Sequence, residues 1–351
     1  MSDSRDISSL PLARSSVDLL LKSGFRFVAD LKGYQPLELS QELSVTPEIA
    51  LSILRSLDNS NASDASNFLD VSAKDILLKY GSTRPVITFC RQIDVMLGGG
   101  IPIGQITEFC GVPGVGKTQL GIQLALNVQI PEVFNGLGGE AIYIDTEGSF
   151  MVERVAEMAS EISNHLHKLA RGQATKNKSQ EAVASQIAAA QSMTRDRFLE
   201  GIQLFRVHDQ TETIATINHL AAYLKLHTKI RLIVIDSIAF HFRQDLSDTS
   251  SRSRVLSTVA QTLNQLAFQH NLAVVVVNHV TTRFERSATA STVQRLVPAL
   301  GEQWSHCITN RVMLHWHEGR ERRATLVKCP SMPSTSVPYC VCERGIRDVP
   351  V

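Results

Sequence analysis

Residues 111 to 118 read Gly-Val-Pro-Gly-Val-Gly-Lys-Thr and fill G-x-x-x-x-G-K-[ST] without a gap. The residue types suit a phosphate cradle. Gly111, Gly114 and Gly116 let backbone N–H groups turn inward around a phosphate where a Cβ would block the approach. Val112, Pro113 and Val115 complete the loop. Lys117 sets a cation against the outer phosphates, and the Thr118 hydroxyl is placed to hold Mg²⁺. Gln119 follows at the opening of the expected helix. The chemistry is that of a nucleoside triphosphate bound with magnesium.

Two further stretches add carboxylates. Ile233-Val234-Ile235-Asp236-Ser237 is an apolar run ending in Asp236, placed at a rigid strand tip as a carboxylate of the magnesium shell must be. An Asp often ends a strand for no other reason, but here the phosphate loop lies about 120 residues earlier. Ile144-Asp145-Thr146-Glu147-Gly148 ends another apolar run. A carboxylate there can orient or deprotonate water attacking the γ-phosphate, which assigns catalysis to Glu147 together with Lys117. The other reading makes Glu147 a cap for a helix starting near Phe150.

These side chains need a scaffold that delivers them to one crevice. Ile106 to Cys110 reads as a short buried strand. Gln119 to Gln129, with Leu120, Leu124 and Val128 on one face, reads as a helix ended by Pro131; strand, glycine loop and helix point the positive helix end at the phosphate. Apolar runs at Ala141 to Ile144, Ile202 to Phe205, Leu232 to Ile235 and Leu272 to Val277 resemble fully buried parallel strands. Three of them lead into Asp145, Asp236 or Asn278, and the carboxyl ends of such strands line the ligand crevice. Arg171 to Gln180 interrupts two helices as a polar surface loop. After Ile308, shorter runs (Arg311 to Trp316, Ala324 to Lys328, Val337 to Val341) suggest antiparallel strands extending the sheet, with Arg320 to Arg323 at a hairpin turn. The fold class is α/β, a mainly parallel twisted sheet with an antiparallel C-terminal extension and a small all-α N-terminal domain.

The 351 residues allow one large core plus a small extra domain. A formal net charge of +1 excludes a whole-body electrostatic pull on nucleic acid or membrane, so any DNA contact is local. The six cysteines show no C-x-x-C spacing, which suggests reduced thiols in an intracellular compartment. His306, His315 and His317 are too widely set to suggest a metal. The first residues lack the apolar core of a signal peptide, and no apolar run approaches bilayer-crossing length.

Residues 1–58 read as short helices, with Leu19, Leu20, Val28, Leu31, Leu37, Leu39 and Leu43 at near-helical spacing. Thr46 and Pro47 open the last helix as N-cap and first residue. Such a unit binds DNA backbone or a partner protein, or only packs. Residues 59–83 form a linker; Asp58 to Ser66 is polar and aperiodic, and Ala73 to Leu78 is an apolar island that docks on a neighbouring subunit or on its own core. Residues 84–351 form the third segment, the α/β core.

The phosphate loop, Tyr143 to Phe150, the strand ending at Asp236 and Val277-Asn278 resemble the ATPase core of the RecA family, within it the eukaryotic branch of strand-exchange recombinases. Gly148 to Arg154, Ile238 to Leu246, Leu296 to Trp304 and His315-Trp316 are similar to the C-paralogue group of that branch. The resemblance extends through the N-terminal unit, whose helices look helix-hairpin-helix-like. It implies ATP, with Mg²⁺, at the edge between neighbouring subunits and Arg154 stacking near the adenine. It also implies two DNA-facing loops: Phe242 to Arg254, bearing Arg243, Arg252 and Arg254, and Thr281 to Pro298, bearing Arg283, Arg286 and Arg295 against one acid, Glu285. An 18-residue polar stretch after a buried strand is long enough to suggest a function, and its positive charge suits a phosphate backbone; a solvated loop is the other reading. His279 stands where that branch usually has glutamine, acids Asp245 and Asp248 lie among the first loop's arginines, and no Phe-x-x-Ala polymerisation segment is evident in the linker.

The resemblance implies a slow DNA-dependent ATPase subunit of a recombinase-paralogue complex in homologous-recombination repair of double-strand breaks. Its partners would be other recombinase paralogues in hetero-oligomers, the main recombinase filament, and single-stranded or branched DNA, with no membrane. Its place would be the nucleus, with room for a cytoplasmic pool. The alternative function is an assembly scaffold in which ATP fastens subunits and hydrolysis is incidental. A phosphotransferase fits less well, because of the position of Glu147 and because no arginine lid is recognisable.

Overall fold

The computed structural model divides into two compact units, Met1–Ser82 and Thr83–Val351. It describes residues 83–174, 180–244, 249–286 and 292–350 of the second unit and, of the first, residues 14–31, 34–43 and isolated positions beside them. The linker, its apolar island and Pro47 lie outside the described residues, apart from isolated positions.

In the first unit, α1 (Arg14–Lys22) and α2 (Pro36–Glu42) flank a 3₁₀ turn at Val28–Leu31. Proline at the first position of α2 loses no hydrogen bond, and the Gln35 amide donates to Glu38 Oε2 at 3.0 Å, which fixes where α2 begins. Leu20, Phe25, Val28, Leu31, Leu39, Leu43 and Ile53 bury together, and Phe25 meets Tyr34 edge-on at 5.5 Å. The Thr46 carbonyl accepts the amides of Ile49 and Ala50, as at a helix start.

The second unit runs α3 (Arg91–Met96), β1 (Ile106–Gly111), α4 (Lys117–Asn127), β2 (Glu140–Asp145), α5 (Val152–Ala174), α6 (Gln180–Ser192), α7 (Arg195–Glu200), β3 (Ile202–Arg206), α8 (Gln210–Leu226), β4 (Ile230–Asp236), α9 (Ala239–Gln244), α10 (Thr249–Gln269), β5 (Ala273–Asn278), β6 (Val280–Arg286), β7 (Thr292–Pro298), α11 (Gly301–Cys307), β8 (Asn310–His317), β9 (Glu321–Lys328), β10 (Ser336–Cys342) and β11 (Gly345–Arg347). Nine strands form one sheet in the order β11-β10-β9-β8-β1-β5-β4-β2-β3. From β8 to β3 all neighbours are parallel; β9, β10 and β11 add antiparallel strands at the other edge.

Side chains along a strand alternate between faces, and both faces of the central strands β2, β4 and β5 are covered. β3, expected to be fully buried, is instead a half-buried edge strand with Leu204 41% exposed, because no described strand pairs with its outer side. Tyr143, Leu232, Val234, Ala273 and Val275 pack into one core with α4 and α5, whereas Ile142, Ile144, Ile233, Ile235, Val274 and Val276 pack into another with α8 and α10. Unbroken apolar runs are therefore required in those central strands, since neither of their faces meets water.

The structure corrects three expectations of local form. Arg171 to Ala174 continue α5 rather than opening a surface loop; residues 175–179 lie outside the described ones. The described part of the first DNA-facing segment is mostly helix: Arg243 lies in α9, and Arg252 and Arg254 lie in the polar first turns of α10, which the apolar positions Val255, Leu256 and Val259 dock on the core. The second segment is a hairpin of β6 and β7, with Arg283 directly opposite Arg295 and Arg286 opposite Thr292. Its β-branched residues Val280, Thr281, Thr282, Thr292, Val293 and Val297 favour pairing.

Candidate nucleotide site and nucleic-acid interface

The carboxyl ends of β1, β2, β4 and β5 bring together the phosphate loop, Glu147, Asp236 and His279. Gly111 ends β1 where a Cβ would stand 2.3 Å from the Leu314 carbonyl oxygen of β8, so packing against the sheet demands glycine here. Gly116 has φ 105° and starts α4, a conformation that glycine adopts at little cost. Gly111→Ala is expected to destabilise the fold by roughly 1–3 kcal/mol through overpacking. In a thermal melt that reads as roughly 2–4 °C per kcal/mol.

Lys117 Nζ lies over the loop, donating to Gly111 O at 2.9 Å and Val112 O at 3.0 Å. Burial lowers its pKa, and the charges of Asp236 and Glu147 pull it back up. Asp236 is 2% exposed, and burial raises its pKa against hydrogen bonds from the Thr118 and Tyr143 hydroxyls. Thr118 and Asp236 thus form an all-oxygen pair beside a half-buried ammonium, a donor set that fits magnesium with a polyphosphate.

Asp145 ends β2 and Glu147 stands two residues beyond it, and their environments separate their roles. Asp145 takes the amides of Ser149 at 3.1 Å and Phe150 at 3.3 Å and faces Arg206 at 3.5 Å, so it builds the turn. Glu147 leaves the turn amides to it. The Glu147 carboxylate accepts the Ser237 hydroxyl and meets His279 Nε2 at 2.7 Å. The hydrogen bond with His279 chiefly holds its pKa below the usual value. Thr146 exchanges hydrogen bonds with Ser237 at 2.9 and 2.8 Å, clamping the ends of β2 and β4 together.

The adenine-side expectation, Arg154, is anchored from three directions. Its guanidinium donates to Gln119 Oε1 at 2.8 Å, Cys342 O at 2.6 Å and Glu343 O at 2.9 Å. Tyr339 of β10 donates to the Val115 carbonyl at 2.7 Å, so the C-terminal strands brace the phosphate loop. Pro113 and Gly114 remain exposed on the loop.

His279 joins this site to the arginine-bearing hairpin, which begins at the next residue. The Ala299 amide closes the hairpin base onto His279 O at 2.8 Å. Beneath it, fully buried Glu108 accepts Asn278 Nδ2 and Trp304 Nε1, each at 2.7 Å, and pairs with Arg311. A cleft of about 400 Å³ beside the hairpin is lined by Arg252, Thr281, Thr282 and Arg283, so arginines from both expected DNA-facing segments share it. Arg283 stands 3.6 Å from exposed Glu302, a weak surface pair. Arg254 is exposed on α10. The histidines His306, His315 and His317 form no metal-holding group, and none occurs among the described residues.

Sequence reasoning missed Tyr143, Ser237, Tyr339 and the Glu108 centre. Only Tyr143 left a local signal, a hydroxyl inside an otherwise aliphatic strand; the others depend on residues far apart in the chain.

A doubly covered parallel sheet with a phosphate loop after β1 and carboxylates at its strand tips defines a RecA-like P-loop domain. The sequence profile of the Rad51 family matches residues 82–180 and 174–349, and the chain belongs to that family. It is 40% identical to DNA repair protein RAD51 homolog 3 of Cricetulus griseus, over 99% of this chain and 93% of that protein. To DNA repair protein RAD51 homolog 3 of Dictyostelium discoideum it is 40% identical over 83% of this chain and 74% of the relative. To DNA repair and recombination protein RadA of Aeropyrum pernix it is 28% identical over 98% and 97%. The similarity to two RAD51 homolog 3 proteins agrees with the C-paralogue resemblance. Among the described residues no helix is long and apolar enough to cross a membrane.

Proposed function

We propose that the chain is an ATP-hydrolysing subunit of a recombinase-paralogue complex in homologous-recombination repair. The observation that carries this reading is the convergence of Lys117, Thr118, Asp236 and Glu147 at neighbouring strand ends. Lys117 would grip the outer phosphates, and Thr118 with Asp236 would hold the metal. Magnesium supplies charge neutralisation at the phosphoryl oxygens. Glu147, kept ionised by His279 and Ser237, takes the proton of the attacking water as its oxygen bonds to the γ-phosphorus and the bond to ADP breaks. Arg154 lies at the adenine side.

The hairpin and the cleft at Arg252 and Arg283 bind the backbone of single-stranded or branched DNA, and His279 carries that contact toward Glu147. Partners are other paralogues and the main recombinase filament, in the nucleus. The engagement of Glu147 by two neighbours favours slow turnover, which also suits the scaffold reading, with ATP as a fastener.

Turnover with and without single-stranded DNA tests the main reading; a purified, folded protein, alone or in complex, that binds no ATP sinks it. Arg252→Ala with Arg283→Ala is expected to weaken DNA binding equally across sequences. Each lost phosphate contact flattens the log-affinity against log-salt slope by about 0.7. An unchanged slope removes the cleft from the DNA path.

A further inference from the structure

Tyr143 is the one polar side chain among the aliphatic residues Ala141, Ile142 and Ile144 of β2. It is fully buried, its ring 4.7 Å from that of Phe150. Val234 lies opposite it in β4, two residues before Asp236, so the long ring reaches along its face to that carboxylate. The hydroxyl donates to Asp236 Oδ2 at 2.8 Å. On the other side α4 gives way. Gly121 sits inside that helix, where glycine is unfavourable, and a Cβ there would stand 3.1 Å from the Tyr143 hydroxyl and 3.2 Å from Val234 Cγ1. The helix thus carries a glycine where the phenol needs room.

We propose that Tyr143 is a positioning residue for the magnesium shell: its hydroxyl fixes one oxygen of Asp236 so that the carboxylate is presented, with Thr118, to the metal in a single orientation. The inference rests on the reading of Thr118 and Asp236 as magnesium ligands. Groups that orient a metal-binding carboxylate typically change metal affinity by about 10- to 100-fold when removed. A phenylalanine also leaves Asp236 Oδ2 buried without its donor, so the carboxylate loses the contact that fixes its orientation. The charged groups facing Asp236 are Lys117 on α4 and Glu147 beyond β2.

The test uses Mn²⁺ as a spin-visible probe, titrated into the full-length protein with ADP, alongside ADP binding in EDTA. Tyr143→Phe is expected to weaken Mn²⁺ binding about 10- to 100-fold, with metal-free ADP binding unchanged. Gly121→Ala, which keeps the hydroxyl but crowds it, is expected to weaken Mn²⁺ in the same sense; it decides the matter if Tyr143→Phe does not fold. Mn²⁺ affinity within twofold of the parent in the folded variants overturns the role of Tyr143 alone. A parent protein that binds ADP but no Mn²⁺ overturns the magnesium reading and this inference with it.

Discussion

Glu147→Gln is expected to lower ATP turnover by about 10²–10⁴-fold, the usual contribution of a general base, with ATP and magnesium still bound. The substitution preserves shape and still accepts a hydrogen bond from Ser237, so the ends of β2 and β4 stay clamped through Thr146. What is lost is the ionised oxygen. The measurement is single-turnover hydrolysis beside equilibrium nucleotide binding. Turnover within threefold of the parent removes Glu147 as the base. Because hydrogen bonding by His279 depresses the Glu147 pKa, the group's stabilising share is complete above the ordinary carboxylate range and is lost as pH falls through its lowered value. Neutral conditions therefore keep the base ionised.

Lys117→Ala acts earlier, on binding. The ammonium sits between the loop carbonyls and the charges of Asp236 and Glu147. Its removal deletes the cation for the outer phosphates and leaves those carboxylates uncompensated. Hydrogen bonds to charged groups contribute about 1.5–3 kcal/mol each. Two such contacts to a triphosphate correspond to a loss of roughly 10²–10⁴ in affinity, measurable by calorimetry with a slowly hydrolysed ATP analogue. Undiminished affinity means the loop does not hold the phosphates.

The pair of variants separates the two readings of function. Repair that fails with either variant requires hydrolysis. Repair that survives Glu147→Gln and fails with Lys117→Ala makes nucleotide a fastener between subunits, the situation in which slow turnover carries no penalty.

Much of the architecture was legible in linear order because its signals are local. The loop from Gly111 to Thr118 is contiguous, and its chemistry follows from backbone amides, one ammonium and one hydroxyl. Buried parallel strands announce themselves as aliphatic runs, since a sheet covered on both faces admits no polar alternation. Asp236 stood out by ending such a run, and Glu147 by standing just beyond one.

The segments around Arg252 and Arg283 were misjudged in form for a related reason: charge and polarity set exposure, not backbone conformation. The residues Val255 to Val259 decide for helix, and pairing of β6 with β7 decides for a hairpin. What only the tertiary structure decided is which side chains meet. Asp145 builds a turn while Glu147 is held at the site because Ser237 and His279, 90 and 132 residues away, arrive at Glu147 and not at its neighbour. Tyr143 finds Asp236, Tyr339 finds Val115, and Glu108 gathers Asn278, Trp304 and Arg311. Such contacts depend on strand order and register, and these emerge from the packing of the whole sheet rather than from any stretch of residues.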